Sequence, residues 1–276
     1  MGAAGLAAAA GGALAYTATR VQGRAEGDVS DYLAGPVSST PPIVVAGASI
    51  VRGRASVDFV QLLRDRLPGR TLVNAGINGN VAWELLQRID QIIACRPSDA
   101  VILVGTNDVL ATLTPEAMGR ARSSKGLPQD PSLGWYVECL TQIVERLQRT
   151  GARVALCSLP PIGQDLRAPV NAAVREANVA IREVCDGTGA SYLPVHENLV
   201  ELLASQGATA GPAWTGSWAP GVRSLVEHFV LGRSYDAIAL ARGWVISPDG
   251  VHMDSTGATI IADTVSGWLA DQPSME

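Results

Sequence analysis

The chain has 276 residues, 47% hydrophobic and 17% charged, enough to bury a substantial core as one domain. A formal net charge of −5 with no Lys or Arg cluster excludes a nucleic-acid surface or a polybasic membrane patch, which need concentrated positive charge, and favours small neutral or apolar ligands. Cys95, Cys139, Cys157 and Cys185 lack metal-ligand spacing, and the first three lie in or beside apolar segments, so buried free thiols are expected rather than a disulfide framework.

Residues 2–15 form an uncharged Ala/Gly/Leu run followed by Tyr16, Arg20 and Arg24. The run falls short of the roughly 18 residues of a spanning helix, is only mildly hydrophobic and has no basic stretch before it. Two readings stay open: a worn or start-truncated signal or anchor, with Ala13-Leu14-Ala15 as a small-residue cleavage site, and a disordered Ala-rich tail. Residues 22–42, rich in Gly, Ser, Pro and Asp, read as a linker, which gives an N-terminal segment over 1–41 and a folded domain over 42–272.

From residue 43 short apolar runs alternate with amphipathic stretches, the signature of βαβ units around a parallel sheet. The first strand is expected at 43–46, followed by a helix over 56–67 with Val57, Val60, Leu63 and Leu67 on one face. A short strand at 72–73 leads into a helix over 81–93 with Val81, Leu85, Leu86, Ile89 and Ile93 aligned. The unbroken apolar run at 100–104 suits a strand covered on both faces. Residues 117–133, with Ser, Gly, Pro and charges, read as a mobile loop near the third strand. Helices follow at 136–147 and 170–184 with a strand at 153–158 between them, then a strand at 191–193 and a closing helix at 256–269. Between the last strand and that helix, 197–246 reads as an insertion carrying Trp214, Trp218, Leu225, Phe229, Val230 and Trp244. It suits either a lid or acyl-binding wall, or aromatics that merely pack it onto the domain.

Four short motifs carry chemistry: Gly47-Ala48-Ser49, Asn74-Ala75-Gly76-Ile77-Asn78-Gly79, Gly105-Thr106-Asn107-Asp108 and Asp249-Gly250-Val251-His252. Ser49, Gly79 and Asn107 each fall just beyond the carboxyl end of an expected strand, the edge where open α/β sheets bind ligands. Ser49 at a strand-to-helix turn is a nucleophile candidate; its surroundings are not Gly-x-Ser-x-Gly, so the nucleophile elbow of α/β-hydrolases is missing. The Gly79 N–H and the Asn107 side chain are donors suited to an oxyanion. The Asp249 to His252 spacing lets a carboxylate hold one imidazole nitrogen while the other faces the serine. Of the other histidines, His196 follows the fifth strand and His228 lies beside Glu227; neither has an acid at that spacing.

In order and content these four motifs resemble the SGNH/GDSL hydrolases, an esterase and lipase superfamily, over about residues 43–269. The resemblance implies a three-layer α/β/α sandwich with a five-stranded, mainly parallel, flavodoxin-like sheet. It implies Ser49 as nucleophile with its own N–H in the oxyanion hole, Gly79 and Asn107 as further donors, His252 as base and Asp249 as its orienter. Arg88, Asn171 and Asn178 add supporting similarity. The chain departs at Ala48, where the family usually has Asp between Gly and Ser; that acid is not a triad member, and its absence removes a hydrogen-bonding anchor. The implied activity is hydrolysis of a small carboxylic ester, lipid-like esters included, without cofactor or metal. Alternatives are an acyltransferase or thioesterase on the same site, and a catalytically silent binding or envelope protein. The N-terminal segment leaves membrane association open and favours a bacterial envelope or secreted location over a cytoplasmic one.

Overall fold

The computed structural model describes residues 3–36 and 40–271, with side chains from residue 11 onward. Residues 37–39 of the expected linker and the expected domain end at 272 lie outside the described residues. In chain order the elements are α1 (Ala3–Gln22), α2 (Val29–Ala34), β1 (Ile43–Gly47), α3 (Ser49–Arg52), α4 (Phe59–Arg66), β2 (Leu72–Gly76), α5 (Ala82–Gln87) and α6 (Ile89–Ala94). They continue with β3 (Asp99–Leu103), α7 (Thr106–Thr112), α8 (Pro115–Lys125), α9 (Leu133–Gln148), β4 (Arg153–Cys157) and α10 (Pro169–Thr188). The chain closes with β5 (Ser191–Leu193), α11 (Val195–Ser205), α12 (Ala219–Phe229), α13 (Tyr235–Ala241) and α14 (Ser255–Ala270).

The five strands form one sheet in the order β2-β1-β3-β4-β5, every pair parallel. β1, β2 and β3 are buried along their whole length, as strands covered on both faces must be, with Asn74 in β2 and Asp99 in β3 as buried polar residues among apolar neighbours. Helices cover both sides: α4 packs on α14 and α14 on α11, while α5, α9 and α10 pack in series. Phe59, Leu63, Leu85, Ile89, Leu140, Ile143 and Leu147 fill the space between helices and sheet and are fully buried. All four cysteines are buried free thiols. The sandwich and the parallel sheet agree with the sequence reading.

Three segments differ from it. Within 117–133, where a mobile loop is expected, lies α8, capped by the Thr114 hydroxyl accepting from the Ala117 N–H at 3.1 Å, opened by Pro115 and stopped by Gly126 in the left-handed region. The helix has no buried residue, so no apolar stripe marks it; its signals are its caps alone. The helix expected over 81–93 is two, broken at Arg88, which leaves helical geometry (φ −110°, ψ 13°). The expected linker contains α2, capped by Asp28, and the Gly27 carbonyl accepts from the Asn74 N–H on the edge of β2.

From residue 3 on, the Ala/Gly/Leu run is helical as part of α1. Its carboxyl end is docked: Asn78 Nδ2 donates to the Val21 carbonyl at 3.0 Å, and the Arg52 guanidinium donates to the carbonyls of Gln22 and Gly23. Among the described residues no helix is long and apolar enough to cross a membrane. The first part of the expected 197–246 insertion belongs to α11, which starts at Val195 and packs into the sandwich by burying Val195, Leu199 and Leu203, and the outlying part begins after it.

Candidate active site

The parallel register aligns the strand ends, with Gly47 of β1 opposite Gly76 of β2 and Leu103 of β3. Ser49, Gly79 and Asn107 therefore leave the same edge of the sheet within a few residues of those ends. Close backbone approach there demands glycine: a Cβ on Gly47 would lie 2.0 Å from the Leu103 carbonyl oxygen, and one on Gly76 2.3 Å from the Arg52 nitrogen. Ser49 opens α3, whose first-turn N–H groups have no intrahelical acceptors, and the preceding Ala48 supplies no side-chain cap.

Across the edge, Ser49 Oγ lies 3.0 Å from His252 Nε2, and His252 Nδ1 lies 2.8 Å from Asp249 Oδ2. The serine is partly exposed, while the histidine and the aspartate are buried. Asp249 Oδ1 accepts from the N–H groups of Val251 and His252, both at 2.9 Å, so the carboxylate is fixed by the backbone of its own loop. Ser247 Oγ accepts from the N–H groups of Asp249 and Gly250 and tightens the same turn. Burial alone pushes the Asp249 carboxyl up, but the imidazole beside it and these hydrogen bonds together outweigh that and hold it below the usual carboxylate range. This geometry meets the demands of acyl transfer: a hydroxyl within reach of a base, and a base whose other nitrogen is held by an ionised acid.

The turn carrying Gly79 is tied at nearly every polar group. Asn107 Nδ2 donates to the Asn80 carbonyl at 3.0 Å; an amide nitrogen has two hydrogens, so one remains for another acceptor. Asp108 accepts from the Ala82 N–H at 3.0 Å, and Glu84 from the Val81 N–H at 2.9 Å. Lys125 Nζ, on α8, donates to the Gly79 carbonyl at 2.6 Å and to Glu84 at 2.8 Å. Arg88 bridges the two strand ends, donating to the carbonyls of Ala75 (2.8 Å) and Gly47 (3.2 Å) and to Asn80 Oδ1 (3.0 Å). Burial pulls its guanidinium down to about 10, still charged at neutral pH.

Asn171 and Asn178 act on the facing loop: Asn178 makes paired hydrogen bonds with the backbone of Leu159, and Asn171 with that of Ile162. The loop they hold presents the Gly163 N–H to the Gly250 carbonyl at 2.7 Å, next to Asp249. His196 and His228 stand apart, their Nδ1 atoms on the carbonyls of Leu159 and Arg233. Sequence reasoning missed Lys125 in this site. It is the only lysine among 276 residues, and that rarity, together with the capped helix carrying it, was the signal available. Among the described residues no group of His, Cys, Asp or Glu has the arrangement of a metal site.

A family model described as the GDSL-like lipase/acylhydrolase family matches residues 44–222. No curated protein matches the chain. Among solved structures, the acetyl xylan esterase AlAXEase is similar at 18% identity and TM-score 0.58, covering 84% of this chain and 100% of its own. A catalytic mutant of Axe2, an acetylxylan esterase from Geobacillus stearothermophilus, is similar at 16% identity and TM-score 0.60, over 86% and 97%. LAE5, an alpha/beta hydrolase enzyme from the metagenome of Lake Arreo, Spain, is similar at 17% identity and TM-score 0.57, over 86% and 98%. At these identities the structures share the fold, while the family model spans well over half of the chain and includes three of the four sequence motifs. The chain belongs to the GDSL-like lipase/acylhydrolase family of ester hydrolases.

Proposed function

We propose that the protein cleaves small carboxylic esters by a ping-pong route through an acyl-enzyme on Ser49. The observation that carries this reading is the continuous chain from Ser49 Oγ through His252 to a buried, backbone-fixed Asp249. His252 Nε2 takes the hydroxyl proton as Ser49 Oγ attacks the ester carbonyl. The tetrahedral oxyanion is met by the Ser49 and Gly79 N–H groups and by the free amide hydrogen of Asn107. His252 then returns the proton to the departing alcohol. Water, deprotonated by the same nitrogen, attacks the acyl-enzyme and releases the acid. Asp249 holds the tautomer and stabilises the imidazolium. The solved neighbours described as acetyl xylan esterases support a short acyl group, acetyl on a carbohydrate hydroxyl being the first substrate class to assay.

The test is a fluorophosphonate probe with peptide mapping, paired with burst release of p-nitrophenol from acetate and butyrate esters. Labelling at Ser49 and a stoichiometric burst are expected. Ser49→Ala should abolish both and His252→Ala should reduce turnover comparably, because nucleophile and base act as a unit. Labelling that persists in Ser49→Ala overturns the assignment, and absence of both labelling and turnover in the wild type favours the silent binding protein.

A further inference from the structure

The outlying part of the insertion lies against the acid end of the site. Its α12 and α13 surround one buried carboxylate, Glu227, which accepts from Arg223 (2.8 Å), Arg233 and Arg242 (2.9 Å). Arg242, itself mostly buried, spends its other terminal nitrogen on Ser224 Oγ and on the carbonyls of Pro248 (2.8 Å) and Pro220 (3.2 Å). Ser224 Oγ lies 3.1 Å from the same Pro248 carbonyl. Pro248 immediately precedes Asp249. On the other side of that carboxylate stands α12 itself: a Cβ built on Gly221 would lie 3.2 Å from Asp249 Oδ2, the oxygen that faces His252. The Trp244 ring occupies the space beside Gly250, 2.8 Å from a Cβ built there.

We propose that Arg242, anchored by Glu227, is a positioning residue for the orienting acid, and that Gly221 provides the wall against which that acid is held. The insertion thus acts on Asp249 from behind and is not a flap over Ser49. The chemistry follows from the contacts. A guanidinium fixed by a buried carboxylate cannot swing, so the Pro248 carbonyl it grips fixes where the next residue begins. The carboxylate, walled by α12 rather than water, keeps a strong and directional hold on the imidazole, because an ion pair is worth more where solvent is excluded. A side chain at 221 would intrude on a carboxylate whose oxygens already face four donors, the N–H groups of Val251 and His252, His252 Nδ1 and the Ser247 hydroxyl, and have little room to retreat.

This rests on the reading of Asp249 as the orienter, so the experiment separates the two. The rate of Ser49 modification by the fluorophosphonate and the kcat for p-nitrophenyl acetate are measured in the full chain for Arg242→Met, Asp249→Asn and the double variant. Arg242→Met is expected to lower both rates about tenfold with KM changed less than twofold, and to have less than a twofold effect when Asp249 is already Asn, since residues acting through one another are not additive. Equal losses in both backgrounds would overturn the inference. Full activity of Asp249→Asn would remove the triad reading itself and the inference with it. Gly221→Ala keeps the proposal testable should Arg242→Met fold poorly: the added methyl presses on Asp249 by only a few tenths of an ångström and Ala favours a helix over Gly, so Tm should fall by no more than a few degrees while kcat falls about tenfold. Unchanged kcat there counts against the wall. Arg223→Ala, which removes another partner of Glu227 but no contact with Pro248, should stay within twofold, and a tenfold loss would mean general damage to the insertion and overturn the role of Arg242.

Discussion

At the scale of single residues, the oxyanion role proposed for Asn107 draws on an amide that carries two hydrogens. One is committed to the Asn80 carbonyl, which orients the group, and the other is the one the proposed mechanism assigns to the oxyanion. Removing one such donor in a water-poor site typically costs about 10²–10³ in rate. Asn107→Ala should therefore lower kcat by that order with KM nearly unchanged, because an interaction made mainly in the transition state adds little to ground-state binding. Steady-state kinetics with p-nitrophenyl esters decide it; wild-type kcat would return Asn107 to a structural turn. Ser49, Gly79, Asn107, Asp249 and His252 can be named as candidates from sequence because acyl transfer restricts residue type and local spacing, and each sits in a short motif. The residues that hold them were not legible as a group. Arg88 sits at the break between α5 and α6, Lys125 at the end of α8 and Arg242 just after α13, and nothing in the spacing of 88, 125 and 242 foretells that they grip backbone carbonyls of residues 47, 75, 79 and 248.

At the scale of elements, legibility followed burial. Helices with an apolar stripe, such as α4, α9 and α10, were readable from periodicity, since that stripe is what packs them. α8 buries nothing, so no apolar period distinguishes it from a loop, yet it delivers Lys125 to the Gly79 carbonyl. The ammonium shares Glu84 with the Val81 N–H, so one charged pair secures both ends of the turn between β2 and α5. Lys125→Met should loosen that turn and lower kcat about tenfold, roughly the worth of one charge-assisted hydrogen bond. Tm should fall by only a few degrees, because the pair is partly exposed and α8 has no buried residue to lose. Kinetics beside a thermal melt check this, and a variant with unchanged kcat would show that the Gly79 turn stands without α8.

At the scale of the whole molecule, the fold class was legible because alternating strands and helices allow few parallel-sheet topologies, whereas the packing of the 206–246 region against Asp249 depends on long-range contacts that no local pattern encodes. Assembling the site at a sheet edge also buries carboxylates, and their titration sets how stability follows pH. Burial pushes Asp108 up to about 7, against the opposing Ala82 hydrogen bond and the Lys125 charge. Burial pushes Asp254, the cap of α14, up to about 6, with Asp236 adding to the rise. A folded carboxyl raised above its unfolded value binds its proton more tightly when folded, so its contribution is full below about pH 4 and is lost as pH rises through 6 and 7. Asp249 and Glu227 run the other way. In both, burial is outweighed, by His252 and backbone donors for the first and by arginines for the second, and their stabilisation disappears as pH falls below about 4. The two sets together place maximal Tm on the acid side, between about pH 4 and 6, with a decline toward pH 8. Asp108→Asn keeps an acceptor for the Ala82 N–H and removes the charge, so it should flatten that decline and raise Tm at pH 8 more than at pH 5. Differential scanning fluorimetry across pH 4–8 reads it directly, and a wild-type Tm that climbs steadily to pH 8, or a slope untouched by Asp108→Asn, would mean that Asp108 is ionised in the folded state without cost.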